Sequence, residues 1–151
     1  AIGRTEEKLQ MAQQKFGADA SVNVTKEKLT DGIKRITGGK GIDAVFDFVV
    51  NNESIENSTK ILANAGNLVL VVIGGYPVVI NPKRLTFKEA SVVGSNVGSK
   101  AELRLLVELA RTGKLKGVAN IKHRLNEANE VLTALREGKI LGRAYFDLSI
   151  K

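Results

Sequence analysis

Two apolar, β-branched runs, IDAVFDFVV (42–50) and NLVLVVI (67–73), constrain this chain more than any other feature. Few polar residues interrupt them, so each reads as a strand buried on both faces. Between them, residues 53–64 place Ile55, Ile61 and Leu62 at helical spacing. A helix joining two doubly buried strands is a βαβ unit. Such crossovers are right-handed and build parallel sheets.

The same alternation runs the length of the chain. Residues 5–16 put Leu9, Ala12 and Phe16 on one helical face, with Gly17 as the stop. SVNV (21–24) is a short strand. Thr25 is positioned to cap a helix bearing Leu29, Ile33 and Ile36, ended by Gly38-Gly39. After NLVLVVI, the loop GGYP (74–77) turns the chain, VVIN (78–81) reads as a short extra strand, and Pro82 ends it. SVVGS (91–95) is a further strand. Ser99 and Glu102 have capping-box spacing for a helix to about Arg111, with Leu103, Leu106, Val107 and Ala110 on its face. A weak strand is expected near 118–122. Asn126 would then cap a helix carrying Val131, Leu132 and Leu135, stopped by Gly138. GRAYFDLSI (142–150) is the last strand.

The expected fold is therefore α/β, a doubly wound and mostly parallel sheet. No repeat or linker divides it, so one domain over 1–151 is expected. Ala1-Ile2-Gly3 reads as the tail of a strand whose start is missing. The sheet is accordingly expected to be truncated at its N-terminal edge, with the first βα unit missing.

Composition removes several classes of function. There is no cysteine, so neither a disulfide framework nor a thiolate metal site is possible. No apolar run reaches the roughly 18–20 residues that cross a bilayer, and the N-terminus lacks a leader pattern. The expectation is no membrane partner and a cytoplasmic location. Residues 1–82 hold nine basic and nine acidic residues, whereas 83–151 hold fourteen and seven, so the whole excess of +7 lies there. A basic half can attract phosphates. With only five Phe and two Tyr, and no recognisable reader motif, it is read as a solvated surface and nucleic acid is not expected as a partner.

Four stretches in order, GRTEEKLQMAQQKFGADASVN (3–23), TGGKGIDAVFDFV (37–49), EASVVGSNVG (89–98) and LNEANEVLTALREGKILGRA (125–144), resemble one family. With the NLVLVV strand, they look like the C-terminal part of the nucleotide-binding domain of zinc-type (medium-chain) alcohol dehydrogenases. The resemblance runs nearly end to end and implies a Rossmann-like domain. In that family a separate N-terminal domain carries the zinc ligands, and a G-x-G-x-x-G turn opens the nucleotide-binding domain. Neither is present in these residues. Gly94-Ser95-Asn96-Val97-Gly98 lacks the spacing. That turn is what lets backbone approach a pyrophosphate at a helix N-terminus. No catalytic and no metal-ligating residue is therefore assigned; zinc would belong to the missing domain, if the parent binds it.

The resemblance nominates a set of cofactor-binding residues. Gly3 aligns with the acidic position that bonds the ribose hydroxyls of NAD, and Arg4 follows it. A small residue and an arginine favour the 2′-phosphate of NADP. The alternative is NAD, with Arg4 an ordinary surface residue. Val49, Val50, Val72, Ile73, Ser95, Asn96 and Val97 follow strands whose carboxyl ends line the family's cofactor. Glycine is common in the family where Val50 and Val72 stand, so branched side chains there are expected to crowd the site. Arg143 resembles the arginine that contacts the pyrophosphate from the start of the last strand.

Other residues were weighed and set aside. Asp43 and Asp47 lie four apart on a strand, roughly 13 Å, too far to share a proton; a structural role is expected. His123, the one histidine, cannot make a zinc site unaided and is expected in solvent. The resemblance also implies a homodimer through the 78–81 and 91–95 strands. The functional expectation is a fragment of an NAD(P)-dependent alcohol dehydrogenase-like oxidoreductase. The alternative is a non-catalytic dimerising remnant with weak or no nucleotide binding.

Overall fold

The computed structural model describes residues 1–73, 75, 77–115, 117 and 120–149. They fall into two compact units, Ala1–Ser99 and Lys100–Lys151. In the first unit, strands and helices alternate: β1 Ile2–Gly3, α1 Glu6–Phe16, β2 Val22–Asn23, α2 Leu29–Thr37, β3 Ile42–Asp47, α3 Asn52–Ile61, β4 Leu62–Leu70, α4 Pro82–Lys88 and β5 Ser91–Gly94. All pairings are parallel. β1 pairs with β2, and β3, β4 and β5 form a second ladder in that order. The second unit holds α5 Lys100–Arg111, β6 Asn120–His123, a 3₁₀ turn Leu125–Glu127, α6 Ala128–Arg136 and β7 Arg143–Phe146. β6 and β7 are again parallel. The doubly wound α/β architecture anticipated from the two apolar runs is the one found. Gly74 and Tyr76 of the anticipated turn, Val118 and Ala119 of the weak strand, and Ile150 of the last lie outside the described residues.

The core of the first unit gathers one face of the sheet under the crossover helices. Val45 of β3, Leu62 and Leu68 of β4, Ile33 of α2 and Ile55 and Ile61 of α3 pack with Val22 of β2. Burial at about 25 cal/mol per Å² of apolar surface makes this cluster the main favourable term in the unit. The close fit explains Gly32. A Cβ there would sit 2.7 Å from the Val22 side chain, so only glycine lets α2 approach β2 this closely.

Local chemistry explains where the elements stop. α1 opens with Glu6 and Glu7, carries Lys15 in its last turn, and closes on left-handed Gly17 (φ 75°). α3 starts with a reciprocal capping box between Asn51 and Ser54. Its far end is closed by Lys88, whose Nζ donates to the carbonyls of Thr59, Lys60 and Leu62. That cap ends the helix at Ile61, before the Ala63 and Asn64 that the apolar spacing included, and Leu62 begins β4.

Three expected features differ. Thr25 does not cap α2. Its N–H and hydroxyl both donate to the Asn23 side chain, and the helix starts at Leu29. Likewise Asn126 lies inside the 3₁₀ turn, which Glu127 closes by accepting the Arg124 N–H. Residues 78–81 are not a strand. Val78 and Ile80 pack on the core, the Val79 N–H donates to the Asn52 side chain, and Asn81 caps α4 by accepting the Lys83 N–H. Pro82 thus opens a helix at its first position, where its missing N–H costs nothing.

α3 and α4 are tied by charge. Arg84 grips Glu56 through both guanidinium nitrogens, at 2.8 and 3.1 Å, and also donates to Thr59 Oγ1. These hydrogen bonds, with one from Lys60, hold the Glu56 carboxyl down from its ordinary 4.5 to about 2. A carboxyl depressed in the folded state stabilises fully above its unfolded value and loses that contribution as pH falls through the folded one. Stability should therefore decline between about pH 4.5 and about 2, and Glu56→Gln should flatten that part of an acid-denaturation profile. Glu89, exposed and left-handed (φ 51°), closes α4 where helices usually place glycine. Left-handed backbone costs a side-chain-bearing residue roughly 1–2 kcal/mol, and glycine's extra unfolded freedom costs about 0.5–1 kcal/mol. Glu89→Gly should therefore raise stability in urea titrations by about 0.5–1 kcal/mol.

Candidate cofactor site

In a parallel sheet every carboxyl end lies along the same edge, where open α/β sheets bind ligands. Asp47, Leu70 and Gly94 are in register as the last paired residues of β3, β4 and β5. The ladder runs slightly further, since the Val71 N–H donates to the Asp47 carbonyl and the Ser95 N–H to that of Leu70. The loops that follow therefore form one contiguous rim. It contains Val49 and Val50, then Val72 and Ile73, then Ser95, Asn96 and Val97. The rim is apolar and open: Ile73 and Val97 are 89% and 82% exposed.

Asp47 shapes the first loop of the rim. It is buried, and its Oδ1 accepts the N–H groups of Val49 (2.8 Å) and Val50 (3.0 Å). This side-chain-to-backbone turn is the Asx arrangement, which an Asp at a strand end followed by a loop can signal. Sequence spacing set Asp43 and Asp47 aside as a carboxylate pair and gave them a structural role. The partner of Asp47 is its own backbone, while Asp43 is exposed. The other oxygen, Oδ2, is buried with no partner. The turn drives Val50 to φ 46°, a conformation that β-branched residues adopt only as outliers. This is the physical counterpart of the glycine expected there. The Val50 side chain packs against the core, so the cost falls on the backbone.

A second cluster stands at the carboxyl ends of β1 and β2. Gly3 ends β1, its carbonyl accepting the Val24 N–H, and a Cβ there would touch the Leu9 side chain at 3.2 Å. Arg4 follows and is exposed. Beside it, buried Asn23 donates to Glu6 at 2.9 Å and accepts from Thr25, and Lys26 pairs with Glu6 at 2.7 Å. Hydrogen bonds from Lys26 and then Asn23 lower the Glu6 carboxyl. Glu6, Asn23 and Lys26 were not singled out from the sequence. The signal available was the Asn-x-Thr turn directly after a strand.

Arg143 opens β7 and is exposed, in the second unit. His123 departs from expectation. Its side chain is only 22% exposed, its ring tilts against Phe146, and Nδ1 lies 3.6 Å from Glu127. Nε2 is buried without a partner. Strand pairing of β6 with β7 sets His123 opposite Phe146, which the lysine and arginine flanking it in sequence could not reveal. Nearby, the hydrogen bond from Lys122 holds the Asp147 carboxyl far below the usual range. Among the described residues no group of three potential metal ligands occurs, and no helix is long and apolar enough to cross a membrane.

A groove of about 670 Å³ lies elsewhere, lined by Lys34, Thr37, Lys40, Gly41, Lys60 and Lys88 among others. It stands at the amino end of β3, opposite the rim, and none of the nominated residues lines it.

Comparison with known proteins gives this geometry a context. The family model described as zinc-binding dehydrogenase matches residues 1–112. An NAD-dependent alcohol dehydrogenase from Sulfurisphaera tokodaii is 33% identical over 91% of this chain and 40% of its own length. A D-arabinose 1-dehydrogenase (NADP(+)) from Saccharolobus solfataricus is 33% identical over 74% of this chain and 32% of its own. The crystal structure of the alcohol dehydrogenase from Aeropyrum pernix superposes with a TM-score of 0.82 at 35% identity, covering 95% of this chain and 41% of that one. The chain thus spans about 40% of the length of these alcohol dehydrogenases. By the family model and these identities over most of its length, this chain belongs to the zinc-binding dehydrogenase family.

Proposed function

We propose that residues 1–151 are part of one nucleotide-binding domain of an NAD(P)-dependent, alcohol dehydrogenase-like oxidoreductase. The parent would move a hydride between a nicotinamide cofactor and an alcohol or carbonyl. The observation that carries this reading is the contiguous rim at the carboxyl ends of β3, β4 and β5, in a chain of this family. Its exposed valines and isoleucine suit one apolar wall of a nucleotide site, while Ser95 and Asn96 add polar groups. The nicotinamide supplies the hydride chemistry when bound. The residues of this chain bind and orient it. Asp47 holds the first loop in place, and Arg143 is proposed to pair with the pyrophosphate. The glycine turn that would approach the pyrophosphate is not among these residues.

NADP is the proposed cofactor, with NAD the alternative. Gly3 leaves no carboxylate at the end of β1 for ribose hydroxyls, and the nearby Glu6 is already engaged by Lys26 and Asn23. Arg4, exposed directly after β1, supports this reading as a cation free to pair with a 2′-phosphate. Val50 and Val72, in place of glycine, favour the second reading, a non-catalytic dimerising remnant.

Dimerisation is proposed through the outer edge of β5. The Ser95 N–H points to β4, so strand alternation turns the N–H groups of Val92 and Gly94 outward. An open edge of this kind invites pairing with a second copy. An added Cβ at Gly94 meets nothing within 4 Å, and a proline on this edge strand removes one outward donor while leaving the bonds to β4 in place.

Two measurements test these statements. In calorimetric titrations NADPH should bind more tightly than NADH, and Arg4→Ala should cost NADPH about 10–100-fold while sparing NADH, as loss of a charged hydrogen bond implies. Absence of binding by both nucleotides would leave the remnant reading in place. In sedimentation experiments the chain should run as a dimer, and Gly94→Pro should shift it to monomer. A dimer that survives the substitution would exclude β5 as the interface.

A further inference from the structure

The groove at the amino end of β3 takes no part in the rim, yet it has a chemistry of its own. It is formed within the first unit by the α2 face from Thr30 to Thr37, the loop at Gly39–Gly41, the junction of α3 with β4, and Lys88 at the end of α4. Its cations are Lys34, Lys40, Lys60 and Lys88, and no carboxylate lines it. Asp31, Asp43 and Glu89, each within two residues of the lining, are exposed and stand outside it.

The field in the groove follows from the charges around it. α2 and α3 both end there, and each helix C-terminus carries about half a negative charge. Four ammonium groups outweigh two such ends. The Glu56 carboxylate is 3.1 Å from Lys60, but both guanidinium nitrogens of Arg84 already hold it. Lys88 is fixed by three carbonyls at the end of α3. Burial, and then the charge of Arg84, hold its ammonium below the ordinary lysine value. An anion in the groove would relieve the second effect. Lys34 and Lys40 are exposed, and among the described residues neither lies within ion-pair distance of a carboxylate. A concavity lined by one sign of charge focuses its field on whatever enters.

The walls narrow the class of anion. No aromatic residue lines the groove, so no ring stacks there. Ile33, Ile61 and Leu62 line it but are buried in the core, and they offer little surface to an organic body. No arginine is present to grip a planar carboxylate in two places. Ammonium groups on flexible stems act as point charges and suit compact, highly charged oxygens. A volume of about 670 Å³ exceeds what a single phosphate fills.

We propose that this groove binds a short phosphate chain, free or as the tail of a nucleotide. Lys34, Lys40 and Lys60 pair with its oxygens, and Lys88 adds a charge that the end of α3 holds in place. The site stands at the opposite end of the strands from the rim, and the inference does not rest on nicotinamide binding.

The test is a titration of the 151-residue chain with inorganic tripolyphosphate at low salt, followed by amide NMR and calorimetry. The Gly39, Lys40 and Gly41 amides should shift and saturate, and sodium chloride at matched ionic strength should leave them in place. Lys34→Gln combined with Lys40→Gln should weaken binding about tenfold, the factor that two exposed charge contacts at the upper end of their usual worth provide. Both side chains are exposed and outside the core, so the fold is not at stake. A control with the same change in charge, Lys15→Gln combined with Lys139→Gln, replaces two exposed lysines outside the groove and should bind as the parent does. Equal weakening in the control overturns the proposal, because overall charge then suffices. Absence of a saturable shift overturns it too. So does binding that Arg4→Ala abolishes and the Lys34 and Lys40 pair of changes spares, which would put the phosphates at the nucleotide site. A tetraglutamate peptide that shifts these amides at lower concentration than tripolyphosphate would make the groove a carboxylate site and likewise overturn it. ATP acting on the same amides extends the ligands to nucleoside triphosphates, whereas a response to tripolyphosphate alone restricts them to the free chain. Failure to bind NADPH leaves each of these outcomes as it stands.

Discussion

Leu68 lies at the centre of the first unit, fully buried in the middle strand of its three-stranded ladder. It packs in one cluster with Val45, Ile55 and Ile61, so three successive elements meet on one face of the sheet. Everything functional in the unit depends on this burial. Parallel strands have no short turns to hold them, and their register is maintained by helices returning across one face. With Asp47, Leu70 and Gly94 held level, three loops emerge side by side and make the rim. Moving a strand by one residue would turn Leu68 toward the opposite face and dissolve the alignment.

The rim also shows how a buried polar group can serve a loop. Asp47 is placed among apolar residues, which is unfavourable for a carboxylate unless it is hydrogen-bonded. Two backbone N–H groups satisfy one oxygen and force the chain to turn at Val49 and Val50. The left-handed backbone of Val50 is the consequence. Elsewhere, polar contacts act mainly as fasteners between elements. Lys88 closes α3, Asn81 opens α4, and Glu56 with Arg84 joins the two.

The second unit contrasts with the first. Its β6–β7 pair sets His123 against Phe146 and Lys122 against Asp147. Helix α5, however, has no buried residue, although Leu103, Leu106 and Val107 follow helical spacing. Amphipathic sequence is a requirement for packing and not proof of it. Among the cations of residues 83–151, Arg84 reaches across to Glu56 and Lys88 to the end of α3, while Arg111 and Lys122 pair with Glu108 and Asp147.

Much of the fold was legible in the chain itself. The apolar runs at 42–50 and 67–73 marked β3 and β4, though β3 buries only one face and leaves Phe46 exposed, and glycines 17 and 38 marked helix ends, because periodicity and backbone sterics are local properties. The four family stretches marked the zinc-binding dehydrogenase relationship. What residue patterns did not disclose was set by groups distant in sequence. Val78 and Ile80 were drawn onto the core instead of into a strand, and the Asn52 side chain took the Val79 N–H. His123 was covered by a strand twenty residues on. The free edges of β1 and β3 emerged only from which strands pair. Local sequence determined which segments are helix and strand, since those preferences reside in neighbouring residues. Tertiary structure decided which edges and faces remain open, since openness depends on what the rest of the chain does not cover.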